Sequence, residues 1–148
     1  MFVDASVIIA IMAGEPGAEG FATHIDAARA KRPVTSVLAS WEATVGLYRK
    51  KRIPMIEAEA RVKEFIEAAG IQVLSIGPRE LPAALQAFER YGRHRYPDSE
   101  RNSALNLADC FHYATAKSCR APILTKDAGF ALTDVATIGV DSADPTAS

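Results

Sequence analysis

Four carboxylates occupy positions where a soluble domain ordinarily places apolar side chains. Asp4 closes the apolar opening Met1-Phe2-Val3, and Asp127 follows the run Pro122-Ile123-Leu124-Thr125. Asp109 is the only acid between Ala104 and Ala116, and Glu42 lies beside Trp41 and Val45 on an otherwise apolar stretch. An ionised carboxylate removed from water is costly unless it is paired or holds a metal. No cluster of histidines or cysteines accompanies these acids, and oxygen-only donors select a hard cation, Mg²⁺ with Mn²⁺ as a substitute, over zinc. Such an ion orients a phosphate, activates water and stabilises a leaving oxygen. Metal-dependent phosphodiester hydrolysis is the chemistry this set would perform.

Each acid also has a purely structural reading. Asp4 suits the N-cap of a following helix, and Ser6 could bond either Asp4 or a water beside it. Asn106 with Asp109 resembles a capping box in the first turn of a helix. Asp127 suits a turn or cap, with the Thr125 hydroxyl close by. Glu42 has Leu38, Ala39, Val45 and Gly46 as its helical neighbours. None of them is basic, so no local ion pair explains it, and its structural reading is a solvent-exposed glutamate at the edge of the helix's apolar stripe. Gly46, one turn on, is expected to leave space beside it.

To gather these acids, the chain must bring distant stretches together. The pattern predicts short strands at Phe2–Asp4, Val34–Thr35, Ile71–Ile76, Pro122–Thr125 and Val135–Val140. Between them it predicts helices near Ser6–Met12, Pro16–Ala30, Val37–Lys51, Pro54–Ala69, Arg79–Tyr91 and Ala104–Lys117, with a short one after Asp127. Ser36 is the expected N-cap of the third helix, on which Leu38, Trp41, Val45 and Tyr48 form an apolar stripe at helical spacing. The segment from Gly92 to Asn102 reads as a loop. The helix beginning at Ala104 is apolar on all sides, and such a helix is buried together with its one acid. His112, one turn after Asp109, is read as a core histidine. Alternating strands and helices favour a three-layer α/β/α sandwich around a mostly parallel sheet. Ligands in such sheets bind beyond the carboxyl ends of the strands, where Asp4 and Asp127 both fall.

The chain of 148 residues suits one domain over residues 1–140, with a small polar tail at 141–148. Lys and Arg total 17 against 18 Asp and Glu, so no global basic field draws in nucleic acid. The apolar run from Ala5 to Ala13 is too short to span a bilayer and lacks the basic flank of a signal peptide. Cys110 and Cys119 would lie about 13 Å apart on one helix, so the chain reads as a reduced cytoplasmic protein.

Four segments together resemble a known family: Phe2-Val3-Asp4-Ala5-Ser6, Thr35-Ser36 followed by Glu42, Leu105-Asn106-Leu107-Ala108-Asp109-Cys110, and Leu124-Thr125-Lys126-Asp127-Ala128-Gly129-Phe130. In this order they resemble PIN-domain ribonucleases, specifically VapC-type toxins of toxin–antitoxin pairs, from Met1 to about Val140. The resemblance implies a PIN-like fold, a Mg²⁺ site and endonucleolytic cleavage of RNA. It implies Asp4 and Asp109 as principal metal ligands, with Glu42 and Asp127 completing the cluster and positioning water. Ser6, Asn106 and Thr125 would support them. It also implies a homodimer and a cognate VapB-like antitoxin whose tail covers the groove. Relatives often carry a further acid where this chain has Ala128-Gly129, which bears on a second metal.

Two basic segments offer RNA contacts. Arg49 and Lys50 belong to a run that also suits a helix C-terminus. Arg93 and Arg95 alternate with aromatic residues in a loop that could track a single strand or simply be solvated. Two other functions compete. One is a small-molecule phosphatase with an aspartyl nucleophile at Asp4, although the acid such enzymes carry two residues on is Ser6 here. The other is a catalytically inactive RNA- or protein-binding module with the same fold.

Overall fold

The computed structural model describes residues 1–140, so the expectation for the tail lies outside the described residues. Strands β1 (Phe2–Val3), β2 (Val34–Ser36), β3 (Gln72–Leu74), β4 (Ile123–Leu124) and β5 (Thr137–Ile138) alternate with helices. The helices are α1 (Ala5–Ala13), α2 (Ala18–Ala27), α3 (Val37–Lys51), α4 (Met55–Ala68), α5 (Leu81–Tyr91) and α6 (Leu107–Ser118). A 3-10 turn, Ala128–Leu132, links β4 to β5. The expected loop after Gly92 carries two further 3-10 turns, Arg93–Arg95 and Asp98–Ser103.

Every strand pairing is parallel, in the order β3-β2-β1-β4-β5. The chain builds outward from β1 through β2 to β3, then returns to the other side of β1 for β4 and β5. Right-handed crossovers therefore place α1–α4 on one face of the sheet and α5–α6 on the other. The packing agrees: α1 lies on α2 and α3, α3 on α4, and α5 on α6. The result is the expected three-layer α/β/α sandwich. Strand order reverses between β1 and β4, and a crevice opens at such a reversal beyond the carboxyl ends. β1 and β4 are wholly buried, as parallel strands covered on both faces must be.

Ser36 caps α3 as expected, its hydroxyl accepting from the Ala39 N–H at 3.1 Å. The apolar stripe on that helix is a correction. Trp41 and Tyr48 are exposed, and Leu38 and Val45 are only half-buried. The buried face is Ala39, Ala43 and Leu47 instead. Small residues let α3 approach α1 and α4 closely, and the bulky side chains are left facing outward. Gly46 is also corrected, because its open side is filled by Ile9 of α1 rather than left free beside Glu42. A side chain at position 46 would overlap Ile9. Gly46→Val is expected to destabilise the protein by roughly 1–3 kcal/mol, read by urea denaturation. Adding Ile9→Ala should recover part of that loss.

Candidate metal centre

Asp4 stands at the N-cap position of α1, yet its side chain makes no capping bond. Its Oδ2 instead accepts the Ser6 and Thr125 hydroxyls, each at 2.7 Å. Ser6 Oγ in turn accepts the Lys126 N–H at 3.1 Å, and Thr125 Oγ1 accepts the Asp127 N–H at 2.9 Å. The ends of β1 and β4 are thus laced together through hydroxyls. Asp4 is 5% exposed and Thr125 fully buried. The network fixes one carboxylate oxygen of Asp4 and directs the other toward the crevice side groups. Ser6 acts as a hydroxyl donor where an aspartyl-phosphatase would need a second acid.

The structural readings of the two late aspartates hold. Asn106 and Asp109 form a reciprocal capping box, with the Asn106 N–H donating to Asp109 Oδ2 at 3.0 Å and the Asp109 N–H to Asn106 Oδ1 at 2.8 Å. That cap starts α6 at Leu107 rather than Ala104. Asp127 Oδ1 accepts the Gly129 N–H at 2.8 Å. Each cap commits one carboxylate oxygen, and both carboxyls still share a field with Asp4. Burial pushes the Asp109 carboxyl up to about 7, with the Asn106 N–H opposing and the charges of Asp127 and Asp4 adding to the rise. Burial also raises Asp127, against the Gly129 N–H and with the charge of Asp4.

Glu42 has a partner seventy positions away in sequence: His112 of α6, whose Nε2 is hydrogen-bonded to Glu42 Oε1. His112 Nε2 also lies 3.8 Å from Asp4 Oδ1. Burial works against charge on this imidazole, but the bond to Glu42 and the fields of Asp4, Glu42 and Asp109 outweigh it and raise its pKa. His112 is fully buried, as a core histidine should be, and it faces the acids as well. A polar side chain on the buried side of an apolar helix, one turn from Asp109, was the signal for that second role.

Asp4, Glu42 and His112 each offer a donor atom within 4.8 Å of the others. Asp109 and Asp127 fall outside that group, although the charge of Asp4 is felt at both carboxyls. Asp109 and Asp127 are pushed toward their protonated forms first by burial and then by neighbouring acids, which marks buried negative charge without a compensating cation. Hard-oxygen donors in that condition suit a divalent cation such as Mg²⁺. Beside Glu42 and Asn106, Leu38, Trp41, Leu107 and Phe111 line a cleft of about 350 Å³.

The basic candidates lie on the surface. Arg49 and Lys50 end α3, and Lys50 pairs with Glu15, which also holds Lys126 at 2.8 Å. Arg93 and Arg95 are exposed on the turn after α5. Both cysteines are free; Cys110 is buried, with burial pushing its thiol up to about 11. Among the described residues no helix is long and apolar enough to cross a membrane.

Comparison with known proteins matches residues 1–136 to the PIN domain. A VapC ribonuclease of Rhizobium meliloti is 35% identical over 144 residues, covering 90% of this chain and 98% of that protein. A ribonuclease VapC of Mycolicibacterium smegmatis is 30% identical, covering 93% of this chain and 99% of that protein. In three dimensions the fold is similar to a chain of a toxin–antitoxin complex from Klebsiella pneumoniae, with a TM-score of 0.64 at 17% identity over 93% of this chain and 94% of that one.

Proposed function

Because this chain belongs to the PIN-domain family, we propose that it is a Mg²⁺-dependent endoribonuclease acting as the toxin of a toxin–antitoxin pair. The observation that supports the reading is that Asp4 and Glu42 meet within 4.8 Å, while the charge of Asp4 reaches the buried Asp109 and Asp127 carboxyls, so acids from distant stretches of chain share one field. Full-length similarity to VapC ribonucleases supports the substrate class.

In this reading Asp4 and Asp109 are the principal ligands, and Glu42 and Asp127 complete the acidic set. A bound Mg²⁺ would supply positive charge for the scissile phosphate and make water a better nucleophile. The protein's own work is positional. Ser6 and Thr125 hold one oxygen of Asp4, which leaves the other for the cation. Asn106 fixes the rotamer of Asp109 through the capping box. Glu42 and Asp127 would position water at the cation. Arg49, Lys50, Arg93 and Arg95 would meet RNA phosphates, with Lys50 shared between that role and Glu15.

A VapB-like antitoxin and a second copy of the chain are the proposed partners. The apolar surface left by Val37, Trp41, Tyr48 and Leu107 supports a covered face. A cytoplasmic location belongs to the same reading.

The test is cleavage of RNA by the purified protein, freed of any partner, in MgCl₂, in MnCl₂ and in excess EDTA. Internal cuts in either metal that EDTA abolishes and added metal restores are the expected result. Binding of RNA without cleavage in both metals would favour the inactive binding module, and a trapped phospho-aspartate at Asp4 would favour the phosphatase.

A further inference from the structure

The imidazole of His112 has two nitrogens in opposite situations. Nε2 is within hydrogen-bond reach of the Glu42 carboxylate. Nδ1 is buried and, among the described residues, has no hydrogen-bond partner. The ring packs against Phe2 at a centroid distance of 5.4 Å, so its surroundings on that side are apolar.

A buried N–H without an acceptor is among the costlier defects a core can carry. Placing the only proton on Nδ1 would create that defect, and it would also turn the Nε2 lone pair toward a carboxylate oxygen. With the proton on Nε2, Nε2–H donates to Glu42 and Nδ1 is left only with an unshared pair, a smaller cost than a stranded N–H. The imidazolium form keeps the Nε2–H donor to Glu42, at the cost of a second proton on the unpartnered Nδ1. Coordination of a cation through Nε2 would require the opposite arrangement, with the proton on Nδ1. Ligating histidines almost always donate their other N–H to an acceptor, and among the described residues none stands beside Nδ1.

We therefore propose that His112 is a positioning residue and not a metal ligand: it donates from Nε2 to Glu42, holding that carboxylate over the crevice and tying α3 to α6 across the sheet reversal. The centre then remains an all-oxygen site despite the histidine at its edge. Glu42 needs this anchor because it is only half-buried and its helical neighbours are Leu38, Ala39, Val45 and Gly46. Without a donor it would turn outward into water. The inference rests on the reading of this cluster as a divalent-cation site.

The experiment pairs two variants with a spectroscopic check. His112→Leu removes the donor at similar volume, and His112→Gln restores an N–H of similar reach. Mg²⁺ dissociation constants are measured by titration calorimetry on wild type and both variants, with circular dichroism as the folding control. Wild type loaded with Mn²⁺ is examined by electron spin-echo modulation for nitrogen coupling. Leu is expected to weaken Mg²⁺ binding by roughly 10–100-fold, the range for loss of an outer-shell partner. Gln should recover affinity to within about threefold of wild type, and wild-type Mn²⁺ should show no directly bonded imidazole nitrogen. A strong nitrogen coupling that disappears in the Gln variant would make His112 a ligand and overturn the inference. Unchanged Mg²⁺ affinity in a folded Leu variant would overturn it too. If Leu fails to fold, the wild-type Mn²⁺ spectrum decides alone. Wild type binding neither metal would overturn the inference together with the cation-site reading, whereas the other negative results leave that reading standing.

Discussion

Replacing Asp4 or Asp109 with asparagine is expected to lower RNA cleavage by on the order of a thousand-fold with the fold preserved. A cation clamp on a transferring phosphoryl group is worth several kcal/mol of barrier, and ~4 kcal/mol corresponds to about a thousand-fold in rate. The fold survives because each hydrogen bond made by these carboxylates is one that an amide oxygen can also accept. Asp4 Oδ2 takes the Ser6 and Thr125 hydroxyls, and Asp109 Oδ2 takes the Asn106 N–H. What asparagine removes is the charge. In metal-free protein that removal helps, since Asp109 is buried among other acids. Asp109→Asn is therefore expected to melt higher than wild type in EDTA at pH 8, and to gain less from Mg²⁺. Single-turnover cleavage in MgCl₂ and thermal melts in EDTA and in MgCl₂ test both halves. Full activity in both variants would remove these residues from the active site.

The sequence made the strand-end acids legible because the signal is local. An apolar run that stops at an aspartate, as at Val3-Asp4, describes a buried parallel strand and its rim in a few residues. Alternation of strands and helices then leads to the layered sheet, which puts Asp4 and Asp127 on the same edge. The capping box of Asn106 and Asp109 was equally local, and both its functional and structural readings are compatible with the geometry.

What stayed hidden depends on partners far along the chain. Helical spacing picked out Leu38, Trp41, Val45 and Tyr48 as the apolar stripe of α3, but small residues allow the closest helix approach, and Ala39, Ala43 and Leu47 face the core. Periodicity alone could not choose between these faces, because both repeat at helical spacing. Glu42 gave no sign of its partner for a similar reason. His112 lies seventy residues away, and only the strand reversal brings α3 and α6 together. Burial was inferred correctly for that histidine, and burial by itself says nothing about what each ring nitrogen faces.

In the absence of divalent metal, the protein is expected to lose stability as pH rises from about 5 to 8, by roughly 5–10 °C in Tm. The sign follows from which state holds the proton. Burial, aided by the charges of Asp127 and Asp4, raises the Asp109 carboxyl from an ordinary 3.8 to about 7 in the folded protein. The folded state thus binds a proton that the unfolded chain has already released, and stability falls with pH across that interval. The contribution is complete below the unfolded value and lost as pH passes the folded one. Asp127 is raised for the same first reason and acts in the same direction. His112, held above its ordinary 6.5 by Glu42 and its neighbours against the cost of burial, adds stability that is likewise lost as pH climbs through its folded value. Glu15 and Asp134 are lowered by their lysine partners, so their opposite contribution is confined to acid below the ordinary carboxylate range. The gap for Asp109 is worth ~4 kcal/mol at most, and each kcal/mol moves Tm by roughly 2–4 °C in a chain of this size. A bound cation compensates the ionised carboxylates, so its stabilisation grows with pH by linkage. Melting curves from pH 5 to 8.5 in EDTA and in excess MgCl₂ should therefore diverge toward alkaline pH, and Asp109→Asn should flatten the EDTA curve. An EDTA curve that rises over this range, with a Mg²⁺ increment independent of pH, would mean that these acids are not crowded around a shared cation site.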